Sequence, residues 1–336
     1  MEKVVVLLIN IGSPDKPESK SVRKYLSQFL NDKYVIDLPW IIRRLLMIFF
    51  IAPYRVPKTT KKYEKIWKKE GAPLLCHLNN LVTKIQNKFP SHYIVYGAMR
   101  YGNPSVESII DKIKDEKLCK IIVVPLYPHY AKSTTESVKH HVLDILKKNK
   151  IKAGVKFLDQ FYDHPLFLES FAKKIASYHP DLYDHIVFSY HGLPIRHIET
   201  AHPHKKYSNC NCETRFPWEY GKFCYKAVCY QTSRDLAKKL SIPAGRYSVA
   251  FQSQISKKWI TPFTDKVLTN LSQQGKKKIL VVAPSFVADC LETTYEIGIE
   301  YQELLVHGGG DKLTLVESLN DSDDWVAALA TIVSEL

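Results

Sequence analysis

Seven short runs of apolar, mostly β-branched residues punctuate this chain, and they constrain its fold more than any other feature. They are Val4–Ile11, Tyr93–Met99, Lys120–Leu126, His185–Tyr190, Tyr247–Phe251, Lys278–Ala283 and Lys312–Glu317. Runs that are apolar at nearly every position suit parallel strands covered on both faces, because such strands have no wet side to alternate toward. Longer amphipathic stretches separate them: Ser105–Lys114, Thr135–Lys148, Phe167–Tyr178, Lys226–Leu240, Thr264–Gln273 and Glu292–Leu305. Strand and helix in alternation predict an α/β chain with doubly wound parallel sheets.

An internal echo points to two similar lobes. Lys120-Ile-Ile-Val-Val-Pro-Leu-Tyr-Pro leads toward a helix after Thr134-Thr135-Glu136, and Lys278-Ile-Leu-Val-Val-Ala-Pro-Ser-Phe leads toward one at Glu292-Thr293-Thr294. The division falls near residue 165, giving lobes 1–165 and 166–336. The last helix is expected to pack back on the first lobe. In such sheets ligands bind beyond the carboxyl ends of the strands, so the segments just after each strand are where chemistry is sought. The first strand ends in Asn10-Ile11-Gly12-Ser13-Pro14, with no GxGxxG, and no GxxxxGK[ST] occurs anywhere. A dinucleotide or P-loop site is therefore a poor fit.

Two strand ends carry unusual polar residues. The first is Phe188-Ser189-Tyr190-His191-Gly192-Leu193-Pro194, where Gly and Pro stop any helix and present His191 at the sheet edge. The second runs from Pro284 to Glu300 and contains Glu292, Glu296 and Glu300, one every fourth residue. On a helix these carboxylates share one face, where like charges repel. A solvated face is one reading of that stripe. A row of oxygen ligands for a hard or borderline cation such as Fe²⁺ is the other.

These residues resemble the ferrochelatase family. The motifs that carry the likeness are SYHGLP, FQS…W…P…TD and FVADCLETTYEI. INIGSPD, KYEKIWKKEGAPLL, MRYGNPS, PLYPHYAKSTT and FYDHP extend it from about residue 4 to 330. The resemblance implies two Rossmann-like, chelatase-like lobes, with porphyrin in the cleft between them. It implies a lyase of haem biosynthesis that inserts Fe²⁺ into protoporphyrin IX and releases two protons. Coproporphyrin III ferrochelatase and a cobalt chelatase are the related alternatives, and a tetrapyrrole carrier without turnover is one of a different class. Carried over by position, His191 and Glu292 match the catalytic pair. Glu296 and Glu300 match the acidic ladder that, with that pair, handles Fe²⁺. Arg100, Tyr101, Tyr127, Trp259 and Phe286 match porphyrin-pocket residues, and Asp289 lies in the segment leading to Glu292. The chain departs from the family pattern at Gln254, at Ile255-Ser256 and at Lys132.

Cysteine usage adds a second candidate site. The seven cysteines are an odd and sparse set, and no secretion signal precedes the first strand, so a reducing cytosol is expected. Cys210, Cys212, Cys224 and Cys229 crowd into the insert at about 205–230, in a C-x-C-x11-C-x4-C pattern. Four thiols this close suggest a tetrahedral sulfur site, either structural zinc or an iron–sulfur cluster. The family resemblance favours a two-iron two-sulfur cluster. Cys76, Cys119 and Cys290 are expected to be small buried hydrophobes.

Residues 38–55, LPWIIRRLLMIFFIAPYR, mix large apolar groups with Arg43, Arg44 and Arg55. The longest uninterrupted apolar stretch, Leu45 to Ala52, is eight residues, far short of the roughly 20 that span a bilayer. Two readings remain: a core helix, or an interfacial lip that dips into a membrane and admits a porphyrin. The family resemblance favours the lip. Lys58, Lys61, Lys62, Lys65, Lys68 and Lys69 follow and would meet anionic headgroups. Lys plus Arg exceed Asp plus Glu by 48 to 34, a net +14 that invites anionic partners. No nucleic-acid recognition motif accompanies it. The expected location is cytoplasmic, peripheral on the inner membrane.

Overall fold

The computed structural model describes residues 3–200, 211–217 and 221–336. Two compact units emerge, residues 1–160 with 320–336, and residues 161–319.

The first unit holds β1 (Lys3–Ser13), β2 (Tyr93–Gly102), β3 (Leu118–Pro125) and β4 (Gly154–Phe157). They form a parallel sheet in the order β2-β1-β3-β4. Val4 to Asn10 of β1 are buried without a break, as a strand covered by helices on both faces requires. Gly12 ends this strand at φ +113°, where a β-carbon would collide with the Tyr101 backbone carbonyl. That close approach brings the ends of β1 and β2 together. The helix Asp323–Ser334 belongs to this unit and buries Trp325 fully. It is held to the helix Pro73–Gln86 by His77–Asp321 (2.7 Å) and Lys84–Asp323 (2.9 Å).

The second unit holds β5 (His185–His191), β6 (Tyr247–Gln252), β7 (Lys278–Val282) and β8 (Lys312–Leu315). Its parallel sheet has the order β6-β5-β7-β8, the same arrangement with each strand replaced by its counterpart. The echoing segments 120–128 and 278–286 thus contribute β3 and β7, which occupy the same place in their sheets. Both sheets reverse direction of winding between their two central strands, at β1/β3 and at β5/β7, where α/β sheets bind ligands.

Helix type departs from expectation after β3 and β7. The stretch expected to be α-helical from Glu292 is a π-helix over Leu291–Tyr301, continuing as α-helix only from Gln302 to His307. Lys132–Glu136 is likewise a π-turn before the α-helix Ser137–Lys148. Both follow the central strand of a sheet, and π-geometry concentrates at functional sites. A four-residue spacing cannot separate the two helix types, because four residues nearly complete a turn of either.

Candidate active site in the second unit

His191 is the last residue of β5, in register with Gln252 at the end of β6. The next residue must be small. A β-carbon on Gly192 would lie 2.8 Å from the Gln252 carbonyl, which the Gly192 N–H meets at 2.8 Å. The His191 Nδ1 lies 2.7 Å from the Gly192 carbonyl oxygen. A carbonyl only accepts, so the neutral ring carries its proton on Nδ1 and keeps a lone pair on Nε2. The ring lies 6.2 Å from Trp259 and 6.5 Å from Phe286, centroid to centroid. The Tyr225 hydroxyl donates to the His191 carbonyl at 2.9 Å.

Glu292 sits half-buried in the first turn of the π-helix after β7. Gln252 ties it to the histidine strand. Its Nε2 donates to the Glu292 carbonyl at 3.0 Å, while its Oε1 accepts from Ser189 on β5 at 2.7 Å. The side chain is completely buried, so each amide atom needs such a partner. The structure thus joins His191 and Glu292 through one glutamine. Asp289, just upstream, accepts from the Thr293 hydroxyl and the Ser318 N–H, both at 3.2 Å, and fixes the entry to the π-helix.

Glu296 has a different character from Glu292. Its Oε1 accepts from the Ser253 N–H (2.8 Å) and the Tyr301 hydroxyl (2.9 Å), and its Oε2 from the Ser253 hydroxyl (2.5 Å). Ser253 takes φ +61° to reach it. Both oxygens are therefore committed to protein donors. Glu300 is half-buried further along the same helix. Among the described residues no group of three His, Cys, Asp or Glu is arranged to hold a metal ion.

Arg100, Tyr101 and Tyr127 lie in the first unit. Arg100 and Tyr101, near the end of β2, converge on a residue that sequence reading did not single out, Asp32. Its Oδ2 meets Arg100 Nη2 at 2.6 Å, the Tyr101 hydroxyl at 2.7 Å and the Ser137 hydroxyl at 2.6 Å, and its Oδ1 takes the Tyr34 N–H at 2.7 Å. Burial pushes the Asp32 carboxyl up. Hydrogen bonds from Ser137, Tyr34 and Tyr101, with the Arg100 charge, outweigh that and hold it below the usual carboxylate range. Burial drives the Tyr101 and Tyr127 phenols upward, so both stay protonated. A cavity of about 320 Å³ opens beside this cluster, lined by Lys33, Arg43, Arg100, Ser137 and His141 among others.

Three of the four clustered cysteines fall among the described residues, and Cys210 lies outside them. Cys212, Cys224 and Cys229 are fully buried, and the Cys212 and Cys224 sulfurs are 3.8 Å apart. Two thiolates on one tetrahedral metal with bonds of about 2.3 Å would be about 3.8 Å apart, so the spacing suits metal–sulfur chemistry. Cys212 is disulfide-bonded here. Burial pushes the Cys224 and Cys229 thiols up. Lys226, itself buried, pairs with Glu213 and pins this segment to the helix Tyr225–Lys239. Of the cysteines expected to be buried hydrophobes, Cys290 is buried, Cys76 is half-buried and Cys119 is exposed, which corrects the expectation for Cys119. Cys119 lies at the start of β3, beside the Lys3 carbonyl, before the strand enters the core.

The segment 38–55 is not a core helix. It forms the helix Trp40–Leu46, in which no residue is buried, then a π-turn Met47–Ile51 and the start of the helix Ala52–Ile66. Trp40, Phe49, Phe50 and Tyr54 are all at least 61% exposed. No helix among the described residues is long and apolar enough to cross a membrane.

Comparison with known proteins decides the family. The Ferrochelatase family model matches residues 3–336. The chain belongs to the ferrochelatase family. It is 40% identical over 338 residues to a ferrochelatase of Legionella pneumophila (strain Lens), covering 98% of each chain. It is 38% identical to a Pseudomonas fluorescens ferrochelatase (97% of this chain, 96% of the relative) and 39% identical to one from Coxiella burnetii (99% and 94%). Ferrochelatase function in haem biosynthesis, expected from the signatures, stands with that membership. Among solved structures, SirB from Bacillus subtilis with Fe³⁺ superposes with a TM-score of 0.53 at 11% identity, covering 99% of this chain and 95% of SirB. At that identity the likeness is one of fold, and the fold is chelatase-like as expected.

Tyr225 and Asp32 escaped sequence reading, and Gln252 and Ser253 appeared there only as part of the FQS motif, with no contact assigned to them. Gln252 left a trace, a lone amide ending the buried strand Tyr247–Gln252. Asp32 left none, since its side-chain partners Arg100, Tyr101 and Ser137 lie 68 and more residues away.

Proposed function

We propose that this chain inserts Fe²⁺ into protoporphyrin IX with His191 and Glu292 as its catalytic pair. The observation that carries the reading is their placement: they leave the two central strands of the second sheet at its switch point, joined by Gln252. Metallation replaces two pyrrole N–H protons with a dication, so the site must remove protons and tolerate gathering positive charge. The Nε2 lone pair of His191 accepts a pyrrole proton. The Glu292 carboxylate stabilises the incoming charge and takes or relays the second proton. Trp259 and Phe286 flank the imidazole and give the macrocycle apolar surfaces to rest on. On the family resemblance, Arg100, Tyr101 and Tyr127 are kept as porphyrin contacts, with Asp32 orienting Arg100 and Tyr101.

The anchoring of Glu296 by Ser253 and Tyr301 assigns it to holding the π-helix in place as well as to the acidic ladder. Glu300 extends that ladder. His191→Ala tests the pair: the folded variant is expected to bind porphyrin and to lose metal insertion. Retained insertion would reject the assignment. Preferential metallation of coproporphyrin III, or of a corrin precursor by cobalt, would move the substrate to that relative. Tight porphyrin binding without Fe²⁺ or Zn²⁺ insertion in the wild type would make the chain a carrier.

The buried sulfurs favour a metal–sulfur centre held by Cys210, Cys212, Cys224 and Cys229, which would supply a structural staple and a one-electron redox couple. Cys212 must then leave its disulfide. Visible absorption and acid-labile sulfide in the purified protein test for a two-iron two-sulfur cluster, and their absence removes it. The exposed apolar face at 40–54, with the lysines that follow, favours peripheral attachment to an anionic membrane surface on the cytoplasmic side. Flotation with anionic liposomes at low and high salt tests it, and no flotation at either sinks it.

A further inference from the structure

The end of β5 is tied to the cysteine pocket by two adjacent residues. Tyr190, fully buried, shares a hydrogen bond with the Ser233 hydroxyl at 2.7 Å, and Ser233 in turn donates to the Cys229 carbonyl at 3.0 Å. The next residue, His191, receives the Tyr225 hydroxyl on its carbonyl at 2.9 Å. That same hydroxyl meets the side chains of Cys229 and Ser285. Tyr225 directly follows Cys224, which caps the helix Tyr225–Lys239 and lies 3.8 Å from Cys212. Cys229 stands one turn along that helix, on the same face as Tyr225. Tyr190, Cys212, Cys224, Tyr225, Cys229 and Ser233 are all buried and His191 is half-buried, so these hydrogen bonds are not exchanged for water without cost.

We propose that Tyr225 is a positioning residue for His191, and that it couples the histidine to the state of the Cys229 pocket. The argument is geometric. The imidazole is oriented by its Nδ1 contact to the Gly192 carbonyl, and both the ring's own Cα and the backbone leading to that carbonyl depend on the peptide plane between residues 191 and 192. Tyr225 holds that plane from one side by the His191 carbonyl, and Gln252 holds it from the other by the Gly192 N–H. A change at Cys229 that withdraws its contact with the Tyr225 hydroxyl lets that hydroxyl re-aim, and the peptide plane turns with it. The cysteine pocket thereby adjusts how His191 faces its substrate without touching the substrate itself. This deepens the proposed function and rests on His191 being the catalytic base.

The test uses the full chain with ¹³C-carbonyl histidine and ¹⁵N-glycine. His-Gly occurs twice in the sequence, at His191-Gly192 and His307-Gly308, so a carbonyl-filtered amide spectrum shows Gly192 and an internal control, Gly308. In Tyr225→Phe, which keeps the ring, the Gly192 signal is expected to move while Gly308 stays. Zinc insertion into mesoporphyrin is expected to lose about five- to tenfold in kcat with KM for porphyrin unchanged, the scale of one buried hydrogen bond. Cys229→Ala is expected to move Gly192 as well, Cys229→Ser to restore it, and Cys229→Ala to add nothing in the Tyr225→Phe background. An unmoved Gly192 signal and unchanged kcat in Tyr225→Phe overturn the positioning role. A Gly192 signal indifferent to Cys229→Ala overturns the coupling. His191→Ala in the same assay separates these failures from failure of the catalytic pair, since only the latter leaves that variant active.

Discussion

The two units use one sheet arrangement for two kinds of polar site. In the second unit the switch point carries His191 on β5 and Glu292 after β7; Glu296 is clamped by Ser253 and Tyr301, whereas the side-chain partner of Glu292 is the weak donor Cys290. In the first unit the polar cluster is closed on itself: Asp32 takes Arg100, Tyr101, Ser137 and the Tyr34 N–H, and its charge is fully answered. A satisfied buried network stabilises and positions. A site that offers an imidazole lone pair and a carboxylate met only by a weak thiol donor is equipped to move protons. The same scaffold therefore separates holding from reacting, and substitutions in the two units should fail in different ways.

The largest effects are expected at the reacting end. His191→Ala should lower the rate of metal insertion by about a thousandfold, within the range a positioned general base supplies, with near-native circular dichroism and thermal midpoint. A comparable loss is expected for Glu292→Gln, measured in the same insertion assay. If either substitution unfolds the protein instead, the contrast between the units breaks.

The converse is expected at Asp32. Removing its charge leaves the half-buried Arg100 guanidinium without its partner, and Asp32→Asn should cost about 2 kcal/mol in urea unfolding. Its pH dependence has a definite sign. A carboxyl whose folded pKa lies below its unfolded value near 3.9 adds stability that is complete above about pH 4 and is lost as the pH falls through the folded value. The wild type should therefore lose part of its stability below about pH 4, and the variant should lack that component. Parallel acid titrations of stability would show it.

Glu296→Gln sharpens the comparison within the second unit. Having lost an acceptor for Ser253 and Tyr301, it should lower the rate by about tenfold and also the thermal midpoint by a few degrees, whereas Glu292→Gln should leave the midpoint unchanged. The smallest effect on turnover is expected from Phe49→Ser with Phe50→Ser. These exposed residues should matter to liposome flotation and hardly to insertion into a water-soluble porphyrin.

Sequence reading found the parallel sheets because strands buried on both faces advertise themselves by uninterrupted apolar runs. It singled out His191 and Glu292 because chain-breaking residues and a strand end gave them context, and because the surrounding motifs matched a family. It read the helix after β7 as α-helical, since an i, i+4 spacing is shared by both helix types. The roles of Gln252, Tyr225 and Asp32 were invisible for another reason. Each is defined by partners that folding delivers from tens of residues away, such as Glu292 for Gln252 and His191 for Tyr225. Cys212 and Cys224, by contrast, are close in sequence and in space, which is why their pattern was legible.

The central claim is most directly tested by following Fe²⁺ insertion into protoporphyrin IX anaerobically, by absorbance, in the wild type, His191→Ala and Glu292→Gln, with porphyrin affinity measured alongside. The account predicts that all three bind porphyrin within a few-fold of one another while insertion collapses in both variants. Insertion within tenfold of the wild type in either variant would contradict it.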